Sequence, residues 1–303
     1  MPAYRELLAG GELSERVKAA QEMLRSCTLC PRKCRVNRLE GETGVCRTGA
    51  EPVVSSYSPH FGEERPLVGR GGSGTIFLTN CNLNCLFCQN CEISQLGKGE
   101  QVSVSALAKM MLALQGAGCH NLNWVTPTHQ MPQLLAALEM AAQEGLKLPI
   151  VYNCGGYESL EALRLLEGIV DIYMPDAKYG SNESGSRFSG VHDYWRRCQM
   201  AIFEMHRQVG DLVVDNRGLA QRGLLVRHLV LPEELSGTRE VMAFLASLSL
   251  NTYVNVMAQY RPCHRAREVA EIARPLSSHE YQRAVRWAMQ AGLHRLDDKA
   301  FSR

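Results

Sequence analysis

No apolar run in this chain of 303 residues approaches the roughly 20 residues that a membrane span needs. The opening stretch MPAYRELLAGGELSERVKAA is charged and amphipathic, without the apolar segment of a signal peptide. Together these absences make a cytoplasmic, non-membrane protein the expectation. Charge imbalance is missing too. The 33 basic and 31 acidic residues leave a formal net charge of +2 and are spread along the chain, so no basic stripe marks a nucleic-acid footprint. No segment repeats closely enough for a solenoid. The length permits one main domain with an appendage.

Cysteine, by contrast, is plentiful, with 12 residues. In a reducing compartment clustered cysteines are more often metal ligands or redox catalysts than structural disulfides. The densest cluster is CNLNCLFCQNC, where Cys81, Cys85 and Cys88 follow the apolar run TIFLT at C-x3-C-x2-C spacing, with Cys91 close behind. Thiolates hold iron–sulfur clusters, and three of them leave one iron of a cubane open for another ligand. The competing reading is a zinc site closed by Cys91. Zinc loops usually separate two close pairs by a longer spacer, so the compact spacing favours the cluster, with Cys91 a packed thiol.

A second constellation, Cys27, Cys30, Cys34 and Cys46, has a turn at Gly41 to Gly44 that brings the fourth cysteine back. Four thiolates close either a zinc site or an auxiliary [4Fe-4S] cluster, and spacing does not choose between them. Arg32, Lys33, Arg35 and Arg38 surround this loop, either neutralising the thiolates or offering a dock for an acidic partner.

Past residue 73, β-rich runs alternate with amphipathic segments. The strands expected are 75–79, 121–126, 148–153, 170–174, 224–231 and 252–257, and the helices 103–117, 130–144, 158–167, 191–209 and 238–249. Six β-then-α units form an α/β fold, a parallel sheet covered by helices, whose working residues gather beyond the C-terminal ends of the strands. Cys81, Thr126 to His129, Asn153 to Gly156, Asp176 with Lys178, and Gln259 to Arg261 all fall on that rim. Residues 1–70 read as a helix and a metal-stapled subdomain, and 71–265 as the main α/β domain. Residues 266–303 form a terminal helical segment with a capping box from Ser277 to Glu280.

CNLNCLFCQN after a strand resembles the cysteine loop of the radical S-adenosylmethionine (SAM) superfamily, with Phe87 at its aromatic position. Within it, the chain is similar to the pyruvate formate-lyase activating enzyme branch over residues 70–265. VTPTH stands where that branch carries its methionine-amino loop, MPDAK is similar to its D-x-K strand end, and VRHLVLP looks like its arginine-bearing fifth strand. The resemblance implies a partial (β/α)6 barrel holding a [4Fe-4S] cluster on Cys81, Cys85 and Cys88. It implies SAM on the open iron, reductive cleavage to a 5′-deoxyadenosyl radical, and hydrogen abstraction, with a glycyl-radical enzyme as the partner substrate. A small molecule or peptide is the alternative donor, and a flavodoxin or ferredoxin the implied reductant. Lys178 is assigned to the methionyl carboxylate and Asp176 to a polar contact beside it. Asn153, near an aspartate of the better-known members, and Thr126, in place of a glycine-rich loop, are departures that still sit where cofactor contacts belong. Arg227, mid-strand among apolar residues, should face an anion, because an unpaired charge there would be expensive. Cys154, His129 and the Cys263-His264 pair are expected to pack, with His129 the nearest of them to a catalytic acid. A non-enzymatic iron–sulfur or zinc protein would need none of the rim residues.

Overall fold

The computed structural model describes residues 2–297. Among these residues nine strands form one connected sheet: β1 (Val53–His60), β2 (Ser73–Leu78), β3 (Glu100–Gln101), β4 (Leu122–Val125), β5 (Ile150–Cys154), β6 (Ile172–Pro175), β7 (Val213–Val214), β8 (Ala220–Leu229) and β9 (Tyr253–Met257). The helices are α1 (Tyr4–Ala9), α2 (Glu12–Glu22), α3 (Arg65–Val68), α4 (Cys91–Ser94), α5 (Val104–Gly116), α6 (Met131–Gln143), α7 (Leu160–Leu165), α8 (Asn182–Ser189), α9 (Tyr194–Val209), α10 (Thr238–Leu248) and α11 (Ser278–Gln290).

The six expected strands are β2, β4, β5, β6, β8 and β9, which pair in parallel in their chain order. This is a mixed α/β fold with a parallel-rich sheet, compatible with a partial (β/α)6 barrel. β4, β5 and β6 are buried along their whole length, as strands covered on both faces must be. Side chains alternate between two cores. Trp124, Tyr152, Tyr173 and Val226 pack under the helices, whereas Val151, Ile172, Met174 and Leu225 face the interior, where Leu67 of α3 joins them. Each fully buried aliphatic side chain there is worth about 1.5–3 kcal/mol.

Serine side chains cap the starts of α5, α8 and α11. Ser103 accepts from Ala106 N, Ser181 from Ser184 N, and Ser277 with Glu280 forms the expected capping box. The expected helix over 191–209 starts at Tyr194, preceded by α8, whose polar, glycine-containing sequence NESGSRFS gives little periodic signal. β1 is a further addition. It pairs antiparallel with β2 and, at Val53 and Val54 alone, with the two-residue β3, so its remaining exposed residues and Pro59 suit an edge. Among the described residues, no helix is long and apolar enough to cross a membrane.

From β1 the chain crosses the open side of the parallel sheet. Asn255 Nδ2 on β9 donates to Glu64 Oε1 at 2.8 Å, and Asn121 Nδ2, at the foot of β4, donates to Leu67 O at 2.8 Å. The segment around α3 therefore spans from the β4 side to the last strand.

Candidate metal and cofactor site

The cysteine loop begins at Asn80, whose left-handed φ of 66° an asparagine tolerates. Asn84 N and Leu86 N donate to Ser189 O and Phe188 O at the end of α8, at 3.1 and 2.9 Å. Those bonds hold the loop over the rim. Cys85 Sγ lies 2.9 Å from Ser189 Oγ, Cys88 Sγ lies 3.0 Å from Ser94 Oγ, and Leu83 N donates to Cys81 Sγ at 3.4 Å. Burial pushes the Cys81 and Cys85 thiols up, and the neighbouring thiols add to it while Lys178 opposes it. Cys85, Cys88 and Lys178 act on Cys81, and Lys178, Cys88 and Asp176 on Cys85.

Among the described residues, no three His, Cys, Asp or Glu side chains converge as they would on a single metal ion. A cubane spreads its terminal thiolates wider than one ion does, and hydrogen bonds to sulfur are the usual environment of such clusters. The trio fits an iron–sulfur cluster with an open corner.

Beside it, the ends of β5, β6 and β8 carry one connected polar network. Lys178 Nζ donates to Asp176 Oδ2 at 2.6 Å, Arg227 Nε to Asp176 Oδ1 at 2.8 Å, and Arg227 Nη2 to Asn153 Oδ1 at 2.6 Å. Burial is the largest influence on all three ionised groups and works against their charges. Arg227 and Lys178 nevertheless hold Asp176 below the ordinary carboxylate range, and the charges of Asp176 and Cys85 hold Lys178 above its own. Lys178 thus stands between the cysteine loop and an aspartate, a fitting place to meet a carboxylate.

The path of the strand end depends on Gly156. A Cβ there would come 2.5 Å from Asp176 O and 3.0 Å from Cys198 Sγ, and its φ is 76°. Tyr194 Oη fastens the same turn, accepting from Lys178 N at 2.9 Å and lying 2.8 Å from Asp176 O. Thr126, with N bonded to Asn153 O, adopts a φ of 59°. That conformation is uncommon for a β-branched residue and is the kind of strain found at ligand sites. Phe87 is buried, its ring edge-on to Tyr260 at 5.8 Å and Tyr179 at 6.2 Å.

The N-terminal cysteines also lie near one another. Cys27, Cys30, Cys34 and Cys46 line one cavity together with Arg38 and Asn82. Burial pushes the Cys30 thiol up to about 12, with Cys46 and Cys27 adding to it. A Cβ on Gly44 would stand 2.7 Å from Cys34 Sγ, so the returning turn has room only for glycine. Of the two roles read for Arg38, its burial suits thiolate neutralisation and not the docking of a partner. Its side chain is 1 % exposed, and its nitrogens donate to Gly49 O and His129 O, all carbonyls. A buried cation without a carboxylate needs an anion, and four metal-bound thiolates would supply one.

The two cysteine loops share a wall. Arg32 Nε donates to Asn82 O at 2.6 Å, and Asn82, between Cys81 and Cys85, also donates to Tyr157 O at 2.8 Å. His129 lies in that wall, not on the rim. It is buried, with Nε2 2.7 Å from Thr79 O, and burial lowers it to about 4, so it is a neutral packing residue and no acid. Cys154 is buried beside Glu158, and burial pushes its thiol up.

Sequence reasoning missed Ser189 and Tyr194, whose polar tips on helices carry no motif. It also missed Glu63 and Glu64, which stand 3.7 and 4.0 Å from Arg227 Nη1. Their adjacency before the Pro66-Leu67 pair was the one available signal.

Residues 75–245 match the radical SAM superfamily, which covers the cysteine loop, the Asp176–Lys178 strand end and Arg227. The chain is also similar to an uncharacterized protein of Methanocaldococcus jannaschii, 33 % identical over 296 residues spanning 94 % of this chain and 81 % of that protein. With three clustered thiols at the head of a parallel sheet and a charged network on the neighbouring strand ends, the chain belongs to the radical SAM superfamily.

Proposed function

We propose that this protein acts on a small molecule held inside the barrel, using the radical chemistry of its superfamily. The observation that carries the reading is the segment around α3, which lies across the open side of the sheet and turns the largely buried Glu63 and Glu64 toward Arg227. The glycine of a partner protein, the donor implied by the activating-enzyme branch, would have to pass this segment or enter from the rim. A compact donor fits the enclosed, polar interior better.

When bound, the [4Fe-4S] cluster and SAM supply reductive cleavage of a sulfonium and a 5′-deoxyadenosyl radical for hydrogen abstraction. The chain's own residues bind and orient. Cys81, Cys85 and Cys88 hold three corners of the cluster. Lys178 would meet the methionyl carboxylate, with Asp176 keeping the lysine in place, while Thr126 and Asn153 would offer polar contacts at the rim and Phe87 packs beneath the loop. Arg227 holds Asp176 and Asn153 at fixed spacing. A flavodoxin or ferredoxin is the fitting reductant, in keeping with a cytoplasmic setting.

The N-terminal cysteines hold a second metal centre in this reading, supported by the buried Arg38. Zinc and an auxiliary cluster satisfy its charge equally, and a count of iron, sulfide and zinc decides between them.

Anaerobically reconstituted protein, reduced with dithionite and given SAM, should release 5′-deoxyadenosine and methionine, and the Cys85→Ala variant none. Deuterium from a labelled small-molecule extract should enter the 5′-deoxyadenosine. Label arriving only from a protein fraction would overturn the small-molecule reading and leave the radical chemistry standing.

A further inference from the structure

The barrel interior holds polar atoms that the fold leaves without partners. Glu64 is buried, its Oε1 accepts from Asn255, and its Oε2 has no hydrogen bond. Arg227 is 4.0 Å from that oxygen, beyond hydrogen-bond reach, and it spends its shorter contacts on Asp176 and Asn153.

Asn123 on β4 is fully buried, and neither Oδ1 nor Nδ2 has a partner. Its direction follows from the sheet. Val125 is in register with Asn153 in a parallel pair, so the two share a face, and Asn153 faces Arg227 in the interior. Asn123 is two residues before Val125 and therefore points the same way. Two residues earlier still, Asn121 has both amide atoms satisfied, by Ser73 Oγ and Leu67 O. The orphaned amide thus begins where the apolar floor around Leu67 ends.

Leaving a buried carboxylate oxygen and a whole side-chain amide unpaired is expensive, and native folds do so where a ligand or water completes the set. We infer that Glu64 and Asn123 anchor the substrate, and that the group they anchor is a protonated amine. A carboxylate oxygen accepts only, so the complementary ligand donates. The second carboxylate, Glu63, faces the same guanidinium from the same segment, which makes that side of the interior acidic and selects a cation over a neutral hydroxyl. Glu63 also lines a surface groove with Phe61, Arg65 and Tyr253. Both glutamates precede the residues matched to the superfamily, so this specificity would belong to the chain's own N-terminal segment.

The inference rests on the small-molecule reading above, and its test separates the two. Anaerobic holoenzyme saturated with SAM is titrated by calorimetry with putrescine, agmatine and L-lysine, and with 1,4-butanediol and adipate as neutral and anionic counterparts. The amines should bind about tenfold or more tightly than either counterpart. Glu64→Gln and Asn123→Ala should each weaken amine binding by a similar factor, and Glu64→Asp should restore part of it. Preference for the diol or the diacid, no binding of any amine by the wild type, or amines that merely compete with SAM would each overturn the assignment. The wild-type comparison stands even if a variant fails to fold. Release of 5′-deoxyadenosine in the same preparation without amine binding would remove this inference alone, whereas absent SAM cleavage would remove the reading beneath it.

Discussion

Replacing Arg38 by methionine tests whether the N-terminal thiols carry an anionic metal centre. The guanidinium donates to Gly49 O at 3.0 and 2.6 Å and to His129 O at 2.7 Å, and it shares a cavity with all four cysteines. If a metal tetrathiolate is its counter-ion, stripping the metal strands a buried cation. Removing one member of a buried charge pair costs about 3–5 kcal/mol. Metal removal should therefore destabilise the wild type by about 3–5 kcal/mol more than it destabilises Arg38→Met, since the carbonyl bonds lost in the variant are common to both metal states and cancel in the cycle. Read the other way, at about 1.4 kcal/mol per decade, the variant should bind the metal roughly two to four decades more weakly. The assay is anaerobic urea unfolding of the four species. It uses a background with Cys81, Cys85 and Cys88 replaced by alanine, so that only the N-terminal site loads. Equal losses, within about 0.5 kcal/mol, would refute the charge argument.

Three further outcomes follow from the geometry. Lys178→Met should weaken SAM binding by about 10- to 100-fold, because a charge-assisted bond to a carboxylate is lost. The cluster spectrum without SAM should persist, as equilibrium dialysis and electron paramagnetic resonance would show. Gly44→Ala places a methyl group 2.7 Å from Cys34 Sγ and should empty the N-terminal site while sparing the radical loop, which metal counting by site-specific cysteine background would reveal. Burial raises Asp171 to about 6 even though Ile150 N and Ala3 N donate to it. The unfolded chain thus loses this proton first as pH rises, near 4, so the contribution of Asp171 to stability should fall between about pH 4 and 6, by on the order of 2–3 kcal/mol, and level off above. Asp171→Asn should flatten that slope in urea titrations across the same range, and an unchanged slope would assign it to other groups.

The parallel strands were legible because strands buried on both faces need an unbroken apolar run, which a local window captures. The rim positions followed from the strands, and Asp176 with Lys178 from a two-residue period. Arg227 was legible as a charge that needed an anion, although which anion was not. Asp176 comes from the neighbouring strand, but Glu63 and Glu64 come from the other end of the chain, where no local pattern points to them. Arg38 read as one basic residue among four, since nothing nearby in sequence shows that it alone turns inward. His129 was expected to pack although it follows a strand, and it does so in the wall between the two cysteine loops. β1 stayed hidden because an exposed edge strand needs little hydrophobicity.

The crossing segment before the first parallel strand gives the molecule a separable cartridge. The thiol loop and the charged strand ends are fixed by the sheet, whereas the carboxylates that look into its interior arrive on a short stretch held by a few side-chain bonds. Exchanging residues 61–69 between relatives would then change what the interior accepts without disturbing how radicals are made, which gives protein engineers a route to new chemistry through nine positions.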